Sequence, residues 1–149
     1  MKGPAECENR VNWQHYCSMK SKLGGLLATA ISLTLLDILW IAVLARDLYQ
    51  RHLGSLLKPA PYLTAAAAFY VMYLGFVWAV AVLPSRSPVQ AFGRGAAMGF
   101  FGYGVYELTN WAMLKGWPAQ LVPIDWTWGT LLTGSCAAVG AWVQKKLSA

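Results

Sequence analysis

The sequence predicts an all-α fold: an integral membrane protein built as an antiparallel four-helix bundle with both termini in the cytoplasm. Composition is the first reason, since 57% of the 149 residues are hydrophobic and 12% are charged, whereas about a quarter of the residues in soluble domains are charged. Eight tryptophans and fourteen glycines are the second, because tryptophan concentrates at bilayer interfaces and glycine is common in membrane helices. This composition argues against the secreted, disordered and cytosolic classes.

Four long apolar segments are the third reason. A spanning helix needs about 20 predominantly apolar residues, because the hydrocarbon core is about 30 Å thick and a helix rises about 1.5 Å per residue. The segments that meet this requirement are residues 23–45, 62–83, 95–114 and 124–144. Short links that contain proline separate them, so consecutive helices are predicted to be antiparallel neighbours. The domain assignment is a polar N-terminal tail (1–22), a four-helix domain (23–145) and a short C-terminal tail (146–149).

The orientation follows from the basic residues, which are retained on the cytoplasmic side of bacterial membranes. The end of the predicted bundle that holds both termini carries the larger set: Lys2, Arg10, Lys20, Lys22, Arg86, Arg94, Lys145 and Lys146. The opposite end carries Arg46, Arg51, Lys58 and Lys115. Both termini are therefore predicted to be cytoplasmic. The net charge of +6 is interpreted as this topology signal together with attraction to membrane lipid, and no nucleic-acid partner is expected.

Acidic and aromatic side chains gather near the other, non-cytoplasmic end. Asp37, Glu107 and Asp125 all fall there if the helices alternate in direction. An ionisable group deep in a bilayer costs about 2.5 to 3.5 kcal/mol at the helix centre and usually faces the bundle interior. On the third helix, polar residues recur at steps of three or four and form one stripe. The predicted polar pocket consists of Asp37, Trp40, Tyr103, Tyr106, Glu107, Asn110, Asp125 and Trp128.

Structural interpretations of the same acids stay open. Asp125, at the predicted start of the fourth helix, could be a charge favoured by the helix dipole. Asp37 and Glu107 could be inward carboxylates that are hydrogen-bonded for structural specificity alone. Three carboxylates suit a hard cation such as Mg²⁺, but no spacing here identifies a metal, and the sequence identifies no cofactor.

Small residues form ridges on the third and fourth helices. Such ridges let membrane helices approach closely, as in small-xxx-small contacts. The residues predicted to pack helix against helix are Gly95, Gly99, Gly102, Gly129, Thr133 and Gly134.

Several short motifs resemble a family of small bacterial four-helix membrane proteins, domain of unknown function 2177. They are Leu36-Asp37-x-x-Trp40, Ala45-Arg46-Asp47-Leu48-Tyr49, Leu53-Gly54-x-Leu56-Leu57, Tyr106-Glu107-Leu108-Thr109-Asn110, Gly116-Trp117-Pro118 and Asp125-x-x-Trp128-Gly129-Thr130. The resemblance covers about residues 23–143 and implies a multi-pass protein of the bacterial inner membrane. It supplies no established activity. Two departures are Glu107, where the family pattern usually has Asp, and the polar extension 1–22.

Three functions are compatible with these observations. The favoured hypothesis is a non-catalytic small subunit or assembly partner, acting in a larger membrane complex or a homo-oligomer. It accounts for the small size, the short loops and the absence of a recognisable nucleotide-binding or nucleophile motif. The alternatives are a small proton- or cation-linked transporter, which would have to oligomerise, and an intramembrane lipid-acting enzyme that uses Asp37, Glu107 and Asp125. The sequence leaves open whether the protein is an enzyme.

Overall fold

The computed structural model describes residues 4–54, 58 and 60–148, with side chains from residue 19 onward. All regular secondary structure in this part of the chain is helical, which confirms the predicted all-α class. The α-helices are α1 (Pro4–Leu39), α2 (Arg46–Leu53), α3 (Leu63–Val77), α4 (Pro88–Met113) and α5 (Leu121–Lys146). Two π-helical turns of five residues continue α1 and α3 without a break: the first π turn (Trp40–Leu44) and the second π turn (Trp78–Val82).

The helix boundaries differ from the predicted segments at several points. Helix α1 begins at Pro4 rather than at residue 23, so much of the segment assigned to the polar tail continues the first helix. The side chains of residues 4–18 lie outside the described part. Helix α4 begins seven residues before the predicted start. Its N-cap Ser87 accepts a 3.2 Å hydrogen bond from the Gln90 amide and Pro88 occupies the first turn, a combination that starts helices efficiently.

Helix α2 occupies residues that the sequence analysis treated as a link. Asp47 lies in its first turn, and Arg51 and His52 lie in its last turn. This arrangement complements the helix dipole, with negative charge near the N-terminus and positive charge near the C-terminus. The short helix is therefore electrostatically favoured although it lacks a long apolar face.

Two described helices are long and apolar enough to cross a membrane. They are Met19–Leu44, with a mean hydropathy of 2.2, and Leu63–Val82, with a mean hydropathy of 1.9. Helices α4 and α5 correspond to the third and fourth predicted spans and have 26 residues each. They do not reach the same hydropathy, because both contain many small residues and several polar ones.

Helix α5 is the packing centre, since it makes the main contacts of both α1 and α4. It runs antiparallel to each, because the early residues of α1 and α4 contact late residues of α5 and their late residues contact its start. On the α1 side, a Cβ placed on Gly25 would lie 2.9 Å from the Gln144 Cβ and 3.1 Å from the Gly140 carbonyl oxygen. On the α4 side, Trp126 donates a 2.7 Å hydrogen bond from its indole nitrogen to the Phe100 carbonyl oxygen. These contacts tie the two outer helices to one central helix.

Most of the predicted small residues lie in this α4–α5 contact. A Cβ on Gly95 would lie 2.6 Å from the Thr133 carbonyl oxygen, and a Cβ on Gly99 would lie 2.8 Å from the Thr133 Oγ1. Gly134 faces the Phe92 ring and Gly129 the Tyr103 ring. Because side chains essentially never approach so closely, the two helices can pack at this distance only without side chains at these points.

Gly102 does not join the contact. A Cβ at this position would meet no atom of another helix within 4 Å. Gly102 follows Gly99 by three residues and faces a cavity rather than α5. It is one of the residues that line this cavity. The predicted packing role is therefore wrong for this glycine, because the stripe rotates out of the contact after Gly99.

Small side chains fill much of the interior, and many large apolar ones face outward. One core cluster contains Val77, Ala81, Val82, Ala91, Ala137 and Ala141, and a second contains Leu33, Leu132 and Cys136. On α1, by contrast, the outward side chains are large and 53 to 63% exposed: Leu23, Leu27, Ile31 and Leu35. A soluble domain would bury the large apolar residues, whereas helices in lipid associate through small ones.

Replacing Gly99 by Leu is expected to destabilise the protein by about 1 to 3 kcal/mol or more, because overpacking forces the helices apart. The measurement is the midpoint of thermal unfolding in detergent, followed by size-exclusion chromatography. Gly93→Leu is the matched control, since a Cβ at Gly93 would meet nothing within 4 Å. Equal midpoints for the two variants would contradict the close α4–α5 contact.

Candidate functional site

A cavity of about 430 Å³ lies where the end of α1, the start of α5, α2, α3 and α4 meet. Its lining includes six of the eight residues of the predicted polar pocket: Asp37, Trp40, Tyr103, Tyr106, Asp125 and Trp128. The other lining residues are Ile41, Tyr49, Phe69, Tyr73 and Gly102. The structure thus brings together acidic and aromatic side chains from all five α-helices and the first π turn.

Asp125 is the centre of the hydrogen bonds around this cavity. Helix α5 begins at Leu121, one turn before Asp125, and the Asp125 side chain is 6% exposed. Its Oδ1 accepts a 3.0 Å hydrogen bond from the Trp40 indole and a 2.6 Å hydrogen bond from the Tyr49 hydroxyl. Asp125 is therefore a buried carboxylate with directed donors, and the alternative of a simple charge at the helix terminus is wrong.

The Trp40 indole that donates to Asp125 is stacked on a second indole, that of Trp128. The Trp40 and Trp128 rings have their centroids 4.5 Å apart and are tilted by only 8°. Trp40 is the first residue of the first π turn, and Trp128 lies almost one turn after Asp125 on α5. The Trp40 indole binds the Asp125 carboxylate, and the Trp128 indole packs on the face of the Trp40 ring. The two rings therefore hold this part of the cavity wall in a defined position.

Tyr49 was absent from the predicted pocket because it belongs to the unpredicted helix α2. It bonds to Asp125, and its hydroxyl also accepts a 3.3 Å hydrogen bond from Trp40. Burial, reinforced by Asp125, raises the pKa of the Tyr49 hydroxyl above its usual range. The hydroxyl therefore stays protonated at neutral pH and remains a donor to the carboxylate.

Helix α3 supplies three aromatic residues that sequence reasoning missed. The Tyr70 hydroxyl donates to the Asp37 carboxylate. The Tyr73 hydroxyl shares a 2.7 Å hydrogen bond with Thr133, and the Phe69 ring packs 5.4 Å from the Tyr73 ring, centroid to centroid. Phe69 and Tyr73 are four residues apart and therefore lie on one face of α3, which could have indicated their shared position. Helix α3 contains no charged residue that would have marked this face as a candidate site.

Glu107 and Asn110 do not line the cavity. Glu107 is fully buried, and its Oε2 accepts a 3.1 Å hydrogen bond from the Trp117 indole. Its other oxygen, Oε1, accepts no hydrogen bond from an N–H or hydroxyl donor of the described residues. Glu107 interacts with the Asp125 carboxyl group electrostatically and through a side-chain hydrogen bond, while Asn110 lies beside the Tyr106 hydroxyl. The polar stripe of α4 is therefore divided between the cavity wall and a buried layer behind it.

The cavity has a negative electrostatic character. Asp37 and Asp125 both line it, and the described lining residues include no Lys, Arg or His. Aromatic rings present negative potential from their faces and attract cations. Carboxylates and aromatic faces together favour a cationic ligand over an anionic or strictly apolar one.

Fold and site together define a class: an all-helical protein that has two described helices of membrane-spanning length and a polar cavity beside them. The chain belongs to the family described as "predicted membrane protein (DUF2177)", whose model matches residues 23–142. The matched region holds every residue that lines the cavity. No curated protein and no solved structure matches the chain.

Removing the Tyr49 hydroxyl tests the position of α2. Tyr49→Phe is expected to lower stability by about 1.5 to 3 kcal/mol, because a hydrogen bond to a charged group is lost and Asp125 stays buried. Thermal unfolding in detergent measures the effect. Tyr62→Phe is the control, since Tyr62 is 67% exposed and surface changes usually stay within about 0.5 kcal/mol. If both variants melt like the parent protein, Tyr49 does not support Asp125.

Proposed function

We propose that the chain crosses the bacterial inner membrane four times, through α1, α3, α4 and α5, with both termini in the cytoplasm. Large apolar side chains that face outward on α4 and α5 support this assignment, as they do on α1 and α3. Examples on these two helices are Phe101, Val105, Leu131 and Trp142, each at least 50% exposed. Such surfaces are stable against lipid and would be aggregation-prone in water.

We further propose that the protein binds a cation of the ammonium type in the cavity and acts as a subunit of a small cation carrier. The observation that carries this proposal is the pairing of Asp37 and Asp125 inside an aromatic-lined cavity. Ammonium groups are recognised by aromatic faces, and a carboxylate adds charge complementarity.

The buried carboxylate behind the cavity supports the same conclusion. Glu107 interacts with Asp125 electrostatically and through a side-chain hydrogen bond, for which one of the two carboxyl groups carries a proton. Two neighbouring buried carboxyl groups share a proton rather than carry two negative charges. In the proposed carrier, a cation that binds at Asp125 exchanges against this proton.

The small-residue ridges give less support to an assembly role, which was the favoured hypothesis from sequence. Gly95 and Gly99 are occupied by contacts with α5 of the same chain. They are therefore not free to pack against a separate subunit. Because four helices provide little material for a complete transport path, a carrier of this size is proposed to work as a homo-oligomer in contact with membrane lipid.

The proposed topology predicts the outcome of reporter fusions. Green fluorescent protein fused after residue 149 is expected to fluoresce, because it folds in the cytoplasm. Alkaline phosphatase is expected to be active when fused in the segment 115–120 and inactive when fused at 84–87. The opposite pattern of phosphatase activity would overturn the proposed orientation, and equal activity at the two sites would overturn the antiparallel pair of spans.

Tetramethylammonium binding to the purified chain in lipid nanodiscs tests the ligand class, measured with the radiolabelled cation. Asp125→Asn and Asp37→Asn are each expected to weaken binding about tenfold or more, which corresponds to about 1.4 kcal/mol. Asp47→Asn is the matched control, because Asp47 lies on the exposed face of α2 outside the cavity. Its affinity is expected to equal that of the parent protein.

Two outcomes would contradict the proposal. The first is that the parent protein does not bind tetramethylammonium at millimolar concentration. The second is that all three Asp→Asn variants bind it as well as the parent protein does. Size-exclusion chromatography of each variant separates loss of binding from loss of folding.

A further inference from the structure

The rim of the cavity is apolar and faces outward. Ile41, Phe69 and Tyr106 line the cavity, yet they are 52, 41 and 51% exposed. The same side chains therefore belong both to the cavity wall and to the outer surface of the helices. In the proposed membrane topology that surface contacts acyl chains, so the cavity opens toward lipid.

The exposed lining residues Phe69 on α3 and Tyr106 on α4 indicate an opening between these two helices. On this side, α4 makes its main contact with the second π turn rather than with α3 itself. Phe69 stands on the α3 side of the gap and Tyr106 on the α4 side. Gly102 leaves the gap wide, since a Cβ there would meet nothing within 4 Å.

Polarity changes along the cavity from its interior to its rim. Asp125 is almost completely buried, whereas Ile41 and Phe69 at the rim are apolar. A ligand that complements both parts has a positive head and an apolar tail. A volume of about 430 Å³ lies within the range of about 300 to 1,000 Å³ that small-molecule sites occupy.

We propose that the cavity takes the cationic headgroup of a single-chain amphiphile, which enters from the bilayer between α3 and α4. The ammonium head lies against Asp37 and Asp125, and the hydrocarbon chain leaves past Ile41 and Phe69 into the lipid. This inference rests on the proposed cation binding and adds the class of ligand and its route of entry.

A competition experiment separates the head from the chain. The parent protein in phosphatidylglycerol nanodiscs is loaded with radiolabelled tetramethylammonium and titrated with unlabelled tetramethylammonium, dodecyltrimethylammonium or neutral dodecyl maltoside. Dodecyltrimethylammonium is expected to displace the label at a concentration at least tenfold lower than tetramethylammonium does. Dodecyl maltoside is expected not to displace it, because it carries no positive charge.

Gly102→Leu tests the route of entry, because its Cβ meets nothing within 4 Å and its side chain adds bulk to the wall of the cavity. The advantage of the dodecyl chain is expected to fall to less than threefold in this variant and to persist in Gly93→Leu, whose added side chain lies outside the cavity. Simple accumulation of the amphiphile in the bilayer would be equal in both variants and is thereby controlled.

A second pair of variants keeps the test decisive if Gly102→Leu also loses the ability to bind tetramethylammonium. Ile41→Ser removes apolar contact at the rim, and Ile38→Ser changes a side chain with 55% exposure that does not line the cavity. Only Ile41→Ser is expected to reduce the advantage of the chain.

The outcomes distinguish the two proposals. Suppose that tetramethylammonium binds in an Asp125-dependent way but the dodecyl chain does not improve the affinity, or improves it by a factor that neither Gly102→Leu nor Ile41→Ser reduces. Lateral entry of an amphiphile is then overturned, while cation binding stands. Displacement by dodecyl maltoside also overturns the amphiphile proposal. If the parent protein binds neither cation, both proposals fall.

Discussion

The buried carboxylate of Asp125 is the constraint on which the arrangement of the helices around the cavity depends. A carboxylate that leaves water must recover its hydrogen bonds inside the protein. Its donors come from outside α5: Trp40 at the end of the first helix and Tyr49 on α2. The chain must therefore stay close to the start of α5 after its first long helix, and Tyr49 on α2 forms part of the cavity wall.

The α4–α5 contact and the cavity are complementary parts of one arrangement. Close approach at Gly95 and Gly99 uses the small residues of α4 on one face. Tyr103 continues this face and packs against Gly129, whereas Gly102, on the adjacent face, stays open. Helix α4 therefore packs closely against α5 on one face and leaves space beside its adjacent face. Helix α3 does not fill that space, because the second π turn that follows α3 makes the main contact with α4 on this side.

The sequence predicted the all-helical class and grouped most of the acidic and aromatic cavity residues, because depth in a helix and a step of three or four are visible in one dimension. It left Tyr49 out of the predicted pocket, since α2 has only eight residues and is too short and too polar to stand out as a spanning helix. It also placed Glu107 in the cavity. A periodic stripe specifies a face only to within about a third of a turn, and Trp117, from a later loop, holds Glu107 behind the wall.

The first π turn has a consequence for variation in chain length. Its wide hydrogen bond, 2.7 Å from the Ala45 amide to the Trp40 carbonyl oxygen, accommodates a residue that an α-helical turn would not hold. Deleting one residue between 40 and 44 would rotate α2 by about 100° relative to α1 and carry Tyr49 away from Asp125. Ile41, Val43 and Leu44 are each more than half exposed, so other apolar residues can replace them. In a relative of this protein, an intact cavity is therefore indicated by the number of residues in this segment together with Trp40, rather than by the identity of residues 43 and 44.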